Sequence, residues 1–322
     1  MRSAVIGVGV IGSLHAQILS ERKTLCAVCD IDDTKLKKYE NIPVFTDYKK
    51  MLDEVRPDVV HICTPHYLHA EMAVYALDRG INVLCEKPLC INLEQMKSIL
   101  DAKKRSKACL GVCLQNRYNK ESVFVKEYLK DKTVKSAVAH MAWHRTKEYY
   151  ASGDWRGKKA TEGGGVLINQ ALHTLDLLQY FAGQPTHIVS NVCNLTLKDD
   201  IEVEDTAIVQ GTKGAGITLF ATNGASYDMP VVISVRTDTD IIHILPGHVY
   251  INGAEQPLDT TYARVLGKEC YGSGHELLID DYYKCLEENR PFSINGKEGS
   301  NVVSIILAAY ESEGKETEVV YG

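Results

Sequence analysis

Strand-like apolar runs and helix-length stretches alternate through the first third of the chain. Arg2–Gly7, Leu25–Asp30, Val44-Phe45, Asp58–Cys63, Asn82–Cys85 and Ala108–Cys113 read as strands. Between them, Ile11–Ser20, Asp32–Tyr39, Tyr48–Glu54, His66–Arg79 and Leu93–Arg105 read as helices, and Gly80 suits the residue that closes the fourth of these. Strands separated by helices imply βαβ units and a parallel sheet covered on both faces. After about Arg117 the rhythm changes. A helix over Glu121–Lys130 and a long strand over Lys135–Arg145 precede a glycine-rich loop and a strong helix from about Gly165 to Phe181. The runs Ile188–Leu197, Thr206–Thr212, Gly216–Ala221, Val231–Arg236, Ile241–Leu245 and Val249–Ile251 then follow without helices between them, which predicts an antiparallel sheet. Helices over His275–Glu288 and Lys297–Glu313 end the chain.

The expected architecture is α/β with two domains. Residues 1–118 form a dinucleotide-binding domain. Residues 119–322 form an α+β domain with a large, mostly antiparallel open sheet, and the helix near 297–313 is a candidate to pack back on the first domain. The length of 322 residues is enough for two domains without staples. With 45% hydrophobic and 24% charged residues and a net charge of −6, the chain is neither disordered nor a basic nucleic-acid binder. No apolar stretch is long enough to span a bilayer, and a mildly acidic surface argues against docking on anionic lipid. Glycines at 7, 9 and 12 interrupt the opening apolar run, so it is not read as a secretion signal, and a cytoplasmic protein is expected. The ten cysteines then stay reduced and mostly buried. Cys26-x-x-Cys29 lacks a second Cys/His pair at zinc spacing, so no metal site is expected.

Gly7-Val8-Gly9-Val10-Ile11-Gly12 is a G-x-G-x-x-G turn directly between a strand and a helix. In that context the glycines allow a tight turn and close approach of a pyrophosphate to the helix N-terminus. Asp30 ends the second strand, 18 residues beyond Gly12, as a carboxylate for ribose hydroxyls would. A carboxylate there repels a 2′-phosphate and so favours NAD over NADP, although Lys35, Lys37 and Lys38 follow it. Thr64-Pro65-x-x-x-His69 and Glu86-Lys87-Pro88 follow the fourth and fifth strands, at the carboxyl edge where ligands bind in such sheets. Gly163-Gly164-Gly165 leads to Asn169, His173 and Asp176, which share roughly one face if the helix runs through them. A histidine in an apolar helix is more often a packed core residue than a catalytic one, and a surface lysine before a turn proline is the lesser reading of Lys87 alone.

Taken in order, the glycine turn, Thr-Pro-x-x-x-His, Glu-Lys-Pro and Gly-Gly-Gly…His-x-x-Asp resemble the Gfo/Idh/MocA family over nearly the whole chain. The resemblance implies an N-terminal Rossmann domain, NAD as cofactor, and a C-terminal sheet that serves as a homo-oligomer interface in dimers or tetramers. It implies Lys87 and His173 as catalytic residues around one reacting carbon. The family's aspartate four residues before that histidine is Asn169 here, which can hold a hydroxyl but not take a proton. By the same resemblance, Arg117, Tyr118, Trp155 and Arg156 line the nicotinamide end. Asp176 orients His173 or is a plain helix carboxylate, and His275 either reaches the substrate or belongs to a helix cap. The implied activity is oxidation of a secondary alcohol of a sugar, sugar derivative or polyol. The alternatives are redox-neutral cleavage of a glycoside through transient oxidation, and a non-catalytic NAD-sensing regulator.

Overall fold

The alternation in the first third of the chain folds into a parallel sheet. In a computed structural model that describes residues 1–259 and 272–322, β1 (Ser3–Ile6), β2 (Leu25–Cys29), β3 (Val44–Phe45), β4 (Val59–Ile62), β5 (Asn82–Cys85) and β6 (Leu110–Val112) pair in the order β3-β2-β1-β4-β5-β6. All five pairings are parallel. Every residue of β1 and β4 is buried, because helices cover both faces. The connections are α1 (Val10–Glu21), α2 (Asp33–Leu36), α3 (Tyr48–Val55), α4 (His69–Leu77) and α5 (Leu93–Arg105). The stretch expected as one helix over 66–79 is a 3₁₀ turn at His66–Leu68 running into α4. Strand order reverses between β1 and β4, so the carboxyl ends of these strands open the crevice in which doubly wound sheets bind ligands.

The second half begins with α6 (Lys120–Tyr128), β7 (Val134–Ala142), α7 (Lys147–Ala151), α8 (Lys159–Glu162) and α9 (Leu172–Ala182). There follow β8 (Pro185–Cys193), β9 (Thr206–Gly214), β10 (Ile217–Thr222), β11 (Val232–Thr237), β12 (Ile241–Leu245), β13 (His248–Ile251) and β14 (Ala254–Glu255), then α10 (Gly274–Glu287), α11 (Gly296–Ser312) and β15 (Thr317–Glu318). Nine strands pair in the order β14-β13-β12-β11-β7-β10-β9-β8-β15. The β7–β10 pair is parallel and the other seven are antiparallel. Burial alternates along β10 and β12, as a sheet with one covered face requires. The covering helix is α9, which lies against β7, β10 and β11.

The chain divides into two compact units, and the division differs from the expected cut after residue 118. The first unit ends at Leu114, and α10 belongs to it. The reason is long-range packing. Tyr282 on α10 is fully buried and donates its hydroxyl to Val83 O at 2.9 Å, and a Cβ on Gly111 would strike its ring at 2.8 Å. Tyr283 donates to Ser3 Oγ at 2.6 Å. The division runs through α11. Its first turn belongs to the first unit, where Gly296 and Gly299 lie against Leu110 and Val112. From Asn301 onward it belongs to the second, where Ala309 O accepts the Ser190 hydroxyl at 2.5 Å. Of the described cysteines none is in a disulfide; six are buried, Cys26 and Cys109 are half-buried, and Cys193 is exposed at its strand end. Cys270 and Tyr271 lie outside the described residues. Among the described residues no helix is long and apolar enough to cross a membrane.

Candidate active site

In the first unit the glycine turn has the geometry its spacing predicts. Gly7 takes φ +83°, and a Cβ there would fall 2.6 Å from Cys63 O. A Cβ on Gly12 would fall 1.7 Å from Gly7 O, so strand end and helix start close only around glycine. Gly9 is different: nothing lies within 4 Å of where its Cβ would be. It caps α1 without any side-chain hydrogen bond, and Val10 beside it is 71% exposed. The leading N–H groups of α1 therefore sit next to open space, the arrangement that receives a pyrophosphate.

Asp30 is buried behind this turn. Its Oδ2 accepts the Val8 N–H at 2.8 Å and its Oδ1 the Asp32 N–H at 3.0 Å, with Lys35 Nζ 3.7 Å away. The carboxylate thus ties the glycine turn to the end of β2. A carboxylate has roughly four acceptor positions, so these bonds leave capacity for ribose hydroxyls. Ile31 next to it is 92% exposed, an apolar side chain turned outward at the same edge. The residues present fit a dinucleotide.

Thr64 and Pro65 lie half-buried at the end of β4. His69 has both ring nitrogens on backbone carbonyls, Nδ1 on Pro88 O at 2.7 Å and Nε2 on Thr64 O at 2.8 Å. It staples the two loops together from a fully buried position, so it shapes the cradle from behind. Burial pushes its imidazole below 6.5 against those two carbonyls.

Glu86 and Lys87 follow β5. Lys87 is half-buried, and its backbone N–H donates to Glu86 Oε2 at 3.2 Å. Glu86 itself is turned inward. Its Oε1 meets His15 Nε2 at 3.1 Å and His275 Nε2 at 3.7 Å. His15 Nδ1 meets His61 Nδ1 at 2.8 Å, and His61 Nε2 meets Tyr283 Oη at 3.1 Å. Burial alone would raise the Glu86 carboxyl, but the hydrogen bonds from His15 and His275 hold it well below the usual range. Burial and the neighbouring His15 push His61 well below 6.5, and burial lowers His275. Ligand-type atoms of His15, Glu86 and His275 fall within 4.8 Å of one another. We read them as a hydrogen-bonded network, because His15 Nε2 and Glu86 Oε1 already partner each other. His275 is thus buried within the first unit, beside Glu86. Composition and spacing gave no sign of this network, since its members come from α1, β4, β5 and α10.

In the second unit the helix expected from Gly165 starts seven residues late, at Leu172. Glu204 accepts the N–H groups of Gly165 at 2.8 Å and Leu167 at 3.0 Å, and its carbonyl accepts the Val166 N–H at 3.0 Å. From there to Ala171 the chain runs in turns, with the Asn169 N–H on Gly165 O at 3.1 Å and the Ala171 N–H on Val166 O at 2.7 Å. Asn169 therefore lies in a turn ahead of α9, not in one helix with His173 and Asp176. His173 is in the first turn of α9, where Gln115 Nε2 lies 3.3 Å from its Nε2. The amide nitrogen has only hydrogens to give, so His173 Nε2 is the acceptor. Gln115, 3% exposed, is a partner of His173 that no motif in the sequence singles out.

Asp176 does not touch His173 in any of these contacts. It is locked with Arg117, whose Nε and Nη2 reach its two oxygens at 2.7 and 2.6 Å, and Gln179 donates to it at 3.1 Å. Arg117 also stacks over Tyr180 at 4.4 Å. Both charged side chains are at most 5% exposed and pair with each other. Tyr118 is half-buried beside them in sequence. Trp155 and Arg156 are half-buried, with Arg156 stacked over the Tyr149 and Trp155 rings at 4.6 and 4.5 Å and its Nη1 donating to Tyr149 Oη at 2.7 Å. Tyr149 Oη also accepts from Gln170 at 3.0 Å and from Asn169 at 3.4 Å.

The strand order together with an open, uncapped helix start at a glycine turn defines a Rossmann-type dinucleotide-binding protein. Comparison with known proteins narrows this. Residues 1–114 match the oxidoreductase family with an NAD-binding Rossmann fold, and residues 133–239 match the GFO/IDH/MocA C-terminal domain. The chain belongs to the Gfo/Idh/MocA family. The D-glucoside 3-dehydrogenase of Escherichia coli is 30% identical over 194 residues, 58% of this chain and 55% of that protein. The inositol 2-dehydrogenase of Rubrobacter xylanophilus is 25% identical over 263 residues, 77% of this chain and 73% of that protein. The chain thus spans about half the length of the first of these relatives. The WlbA dehydrogenase of Chromobacterium violaceum, solved with NADH and UDP-GlcNAcA, superposes with a TM-score of 0.85 at 25% identity, covering 99% of this chain and 96% of that one. A levoglucosan dehydrogenase in complex with NADH shares the fold at a TM-score of 0.85 and 19% identity, each chain covered in full. These names lend no support to the glycoside-cleavage alternative.

Proposed function

We propose that the protein is an NAD-dependent dehydrogenase that oxidises a secondary alcohol of a sugar, sugar derivative or polyol. The observation that carries this reading is the state of His173: in a family of named dehydrogenases, its ring sits at the start of α9 with Nε2 held as an acceptor by Gln115. The glycine turn and Asp30 would hold NAD, with Lys87 toward its reacting end. When bound, NAD supplies the two-electron acceptor. The remaining task is the hydroxyl proton. His173 takes it, since an imidazole exchanges protons near neutrality. The Lys87 ammonium stabilises the developing alkoxide by charge and hydrogen bonding. Asn169 holds a neighbouring hydroxyl without taking its proton. Tyr118, Trp155 and Arg156 complete the surroundings of the reacting end. The nine free cysteines among the described residues fit a cytoplasmic setting.

The outer face of the nine-stranded sheet supports a homo-oligomer. Val138, Ile208 and Ile241 are each about half exposed there, and Phe220 stacks on His140 at 5.4 Å. A screen of polyols, hexoses, nucleotide sugars and glycosides, following NADH absorbance and product stereochemistry, tests the activity. Net NADH formation with at least one free alcohol is expected. Glycoside cleavage without net NADH would overturn it.

A further inference from the structure

The run Gly163-Gly164-Gly165 has no part in the chemistry described so far, but two side chains close on it. Glu204 lies just ahead of β9, is 8% exposed, and turns toward the residues that follow the glycines. Four consecutive backbone N–H groups are taken there. Gly165 donates to Glu204 Oε2 at 2.8 Å, Val166 to Glu204 O at 3.0 Å and Leu167 to Glu204 Oε1 at 3.0 Å. The Ile168 N–H goes to the hydroxyl oxygen of Tyr310 on α11, and that hydroxyl donates to Glu204 Oε1 at 3.0 Å. Burial and the Glu204 charge hold the Tyr310 hydroxyl well above 10, so it keeps the proton it donates. Only glycine lets these groups approach. A Cβ on Gly164 would fall 1.9 Å from Tyr310 Oη, and one on Gly165 would fall 1.9 Å from Glu204 O. The hold passes along the backbone. The Asn169 N–H bonds to Gly165 O, the Ala171 N–H to Val166 O, and the Leu175 N–H to Ala171 O at 2.9 Å, which brings the chain into the turn of α9 that carries His173.

We propose that Glu204 and Tyr310 are positioning residues for His173: they fix the loop from which α9 starts, and with it the place of the His173 ring. The proposal rests on the reading of His173 as the group that takes the hydroxyl proton. Both residues act through the backbone of residues 165–171, and the glycines are there to let them close on it. A carboxylate suits the task, because each of its oxygens accepts and it can hold two N–H groups at once. An amide has one acceptor oxygen, and its NH₂ would face an N–H. A buried N–H that loses its acceptor is costly, so the loop shifts to satisfy it. The next residue, Asp205, serves a different loop. Its oxygens accept the N–H groups of Leu195 at 3.0 Å, Thr196 at 2.6 Å and Leu197 at 3.1 Å. Asp205 is 0% exposed, so the neighbouring position supplies a buried carboxylate of equal structural weight that does not hold the glycine loop.

The test uses the full-length protein with Glu204→Gln, Tyr310→Phe, the double variant, Asp205→Asn and His173→Ala. Stability is measured by urea denaturation and NAD affinity by calorimetry. Turnover is measured with the best alcohol from a panel of myo-inositol, D-glucose and methyl β-D-glucoside. A misplacement of about 1 Å costs about 100-fold in rate, so Glu204→Gln and Tyr310→Phe lower kcat of the folded enzyme by about 10–100-fold, with NAD affinity parental. Because both act on one loop, their effects on kcat do not multiply: the double variant is within about 3-fold of the slower single one. Asp205→Asn loses stability and keeps parental kcat. Parental kcat in folded Glu204→Gln and Tyr310→Phe overturns the proposal. An equal loss of kcat in Asp205→Asn also overturns it, since the effect is then one of general destabilisation. If Glu204→Gln does not fold, Tyr310→Phe decides alone. His173→Ala separates the proposal from the reading beneath it. Parental kcat there rejects His173 as the proton acceptor, while a slow His173→Ala enzyme with parental kcat in both loop variants rejects only the roles of Glu204 and Tyr310.

Discussion

Replacing Arg117 with alanine should destabilise the second unit without a specific effect on substrate affinity. The Arg117 and Asp176 side chains are 5% and 1% exposed, and two bonds of 2.7 and 2.6 Å join them. Removing the guanidinium leaves a buried carboxylate to which the Gln179 amide donates at 3.1 Å. Breaking one side of a buried pair costs about 3–5 kcal/mol, because the surviving charge stays desolvated. Arg105 and Asp78 supply a control within the same chain. They form a two-pronged pair of similar length, 2.7 and 2.9 Å, but with the side chains 52% and 38% exposed. Solvent screens such a pair, and Arg105→Ala should change stability little. Equilibrium urea denaturation followed by circular dichroism measures both. A joint replacement, Arg117→Met with Asp176→Leu, should recover most of the loss, since no charge is left stranded. If Arg117→Ala costs less than about 1 kcal/mol and raises KM instead, the pair is a substrate site and the structural reading is wrong.

The elements that could be read from the sequence are those whose causes are local. The glycine turn, Asp30 and the βαβ rhythm are set by residues within one strand–turn–helix unit, and they appear where the pattern put them. The Asn169–His173–Asp176 face was read on one continuous helix, but residues 166–171 are turns, with the Ala171 N–H on Val166 O, and α9 starts at Leu172. Asp176 was read through its neighbour in the motif, while its partner Arg117 sits in a separate 3₁₀ turn. His275 was read with the loop before it, yet α10 packs into the first unit and delivers the histidine to Glu86. Gln115 carries no sequence signal of its own; the fold alone sets it beside His173.

Asp30→Ala should narrow the preference for NAD(H) over NADP(H) in calorimetric titrations, since it removes repulsion of a 2′-phosphate beside Lys35; tighter NADP binding by the parent protein would refute the assignment. Gly12→Ala should abolish cofactor binding or folding of the first unit, whereas Gly9→Ala should leave the fold intact, because a Cβ meets Gly7 O at 1.7 Å in one case and open space in the other. The first unit should lose stability on acidification. His61, His69 and His275 sit below 6.5 in the folded protein and Glu86 below 4.5, so each binds protons better when unfolded. Their contribution is complete above pH 6.5 and is lost as pH falls, first through the histidines and then through Glu86. Hydrogen exchange of the α1 and β4 amides at pH 7.5 and pH 5 checks this, and equal protection at both would contradict it.

If His173 moves the proton in an NAD-linked alcohol oxidation, the pH profile of kcat for the parent and His173→Ala enzymes on the best alcohol substrate shows it. The expected outcome is a loss of about 10²–10⁴-fold in kcat, with NAD affinity kept and an ionisation in the parent profile absent from the variant. A His173→Ala enzyme with nearly parental turnover and an unchanged profile would contradict it.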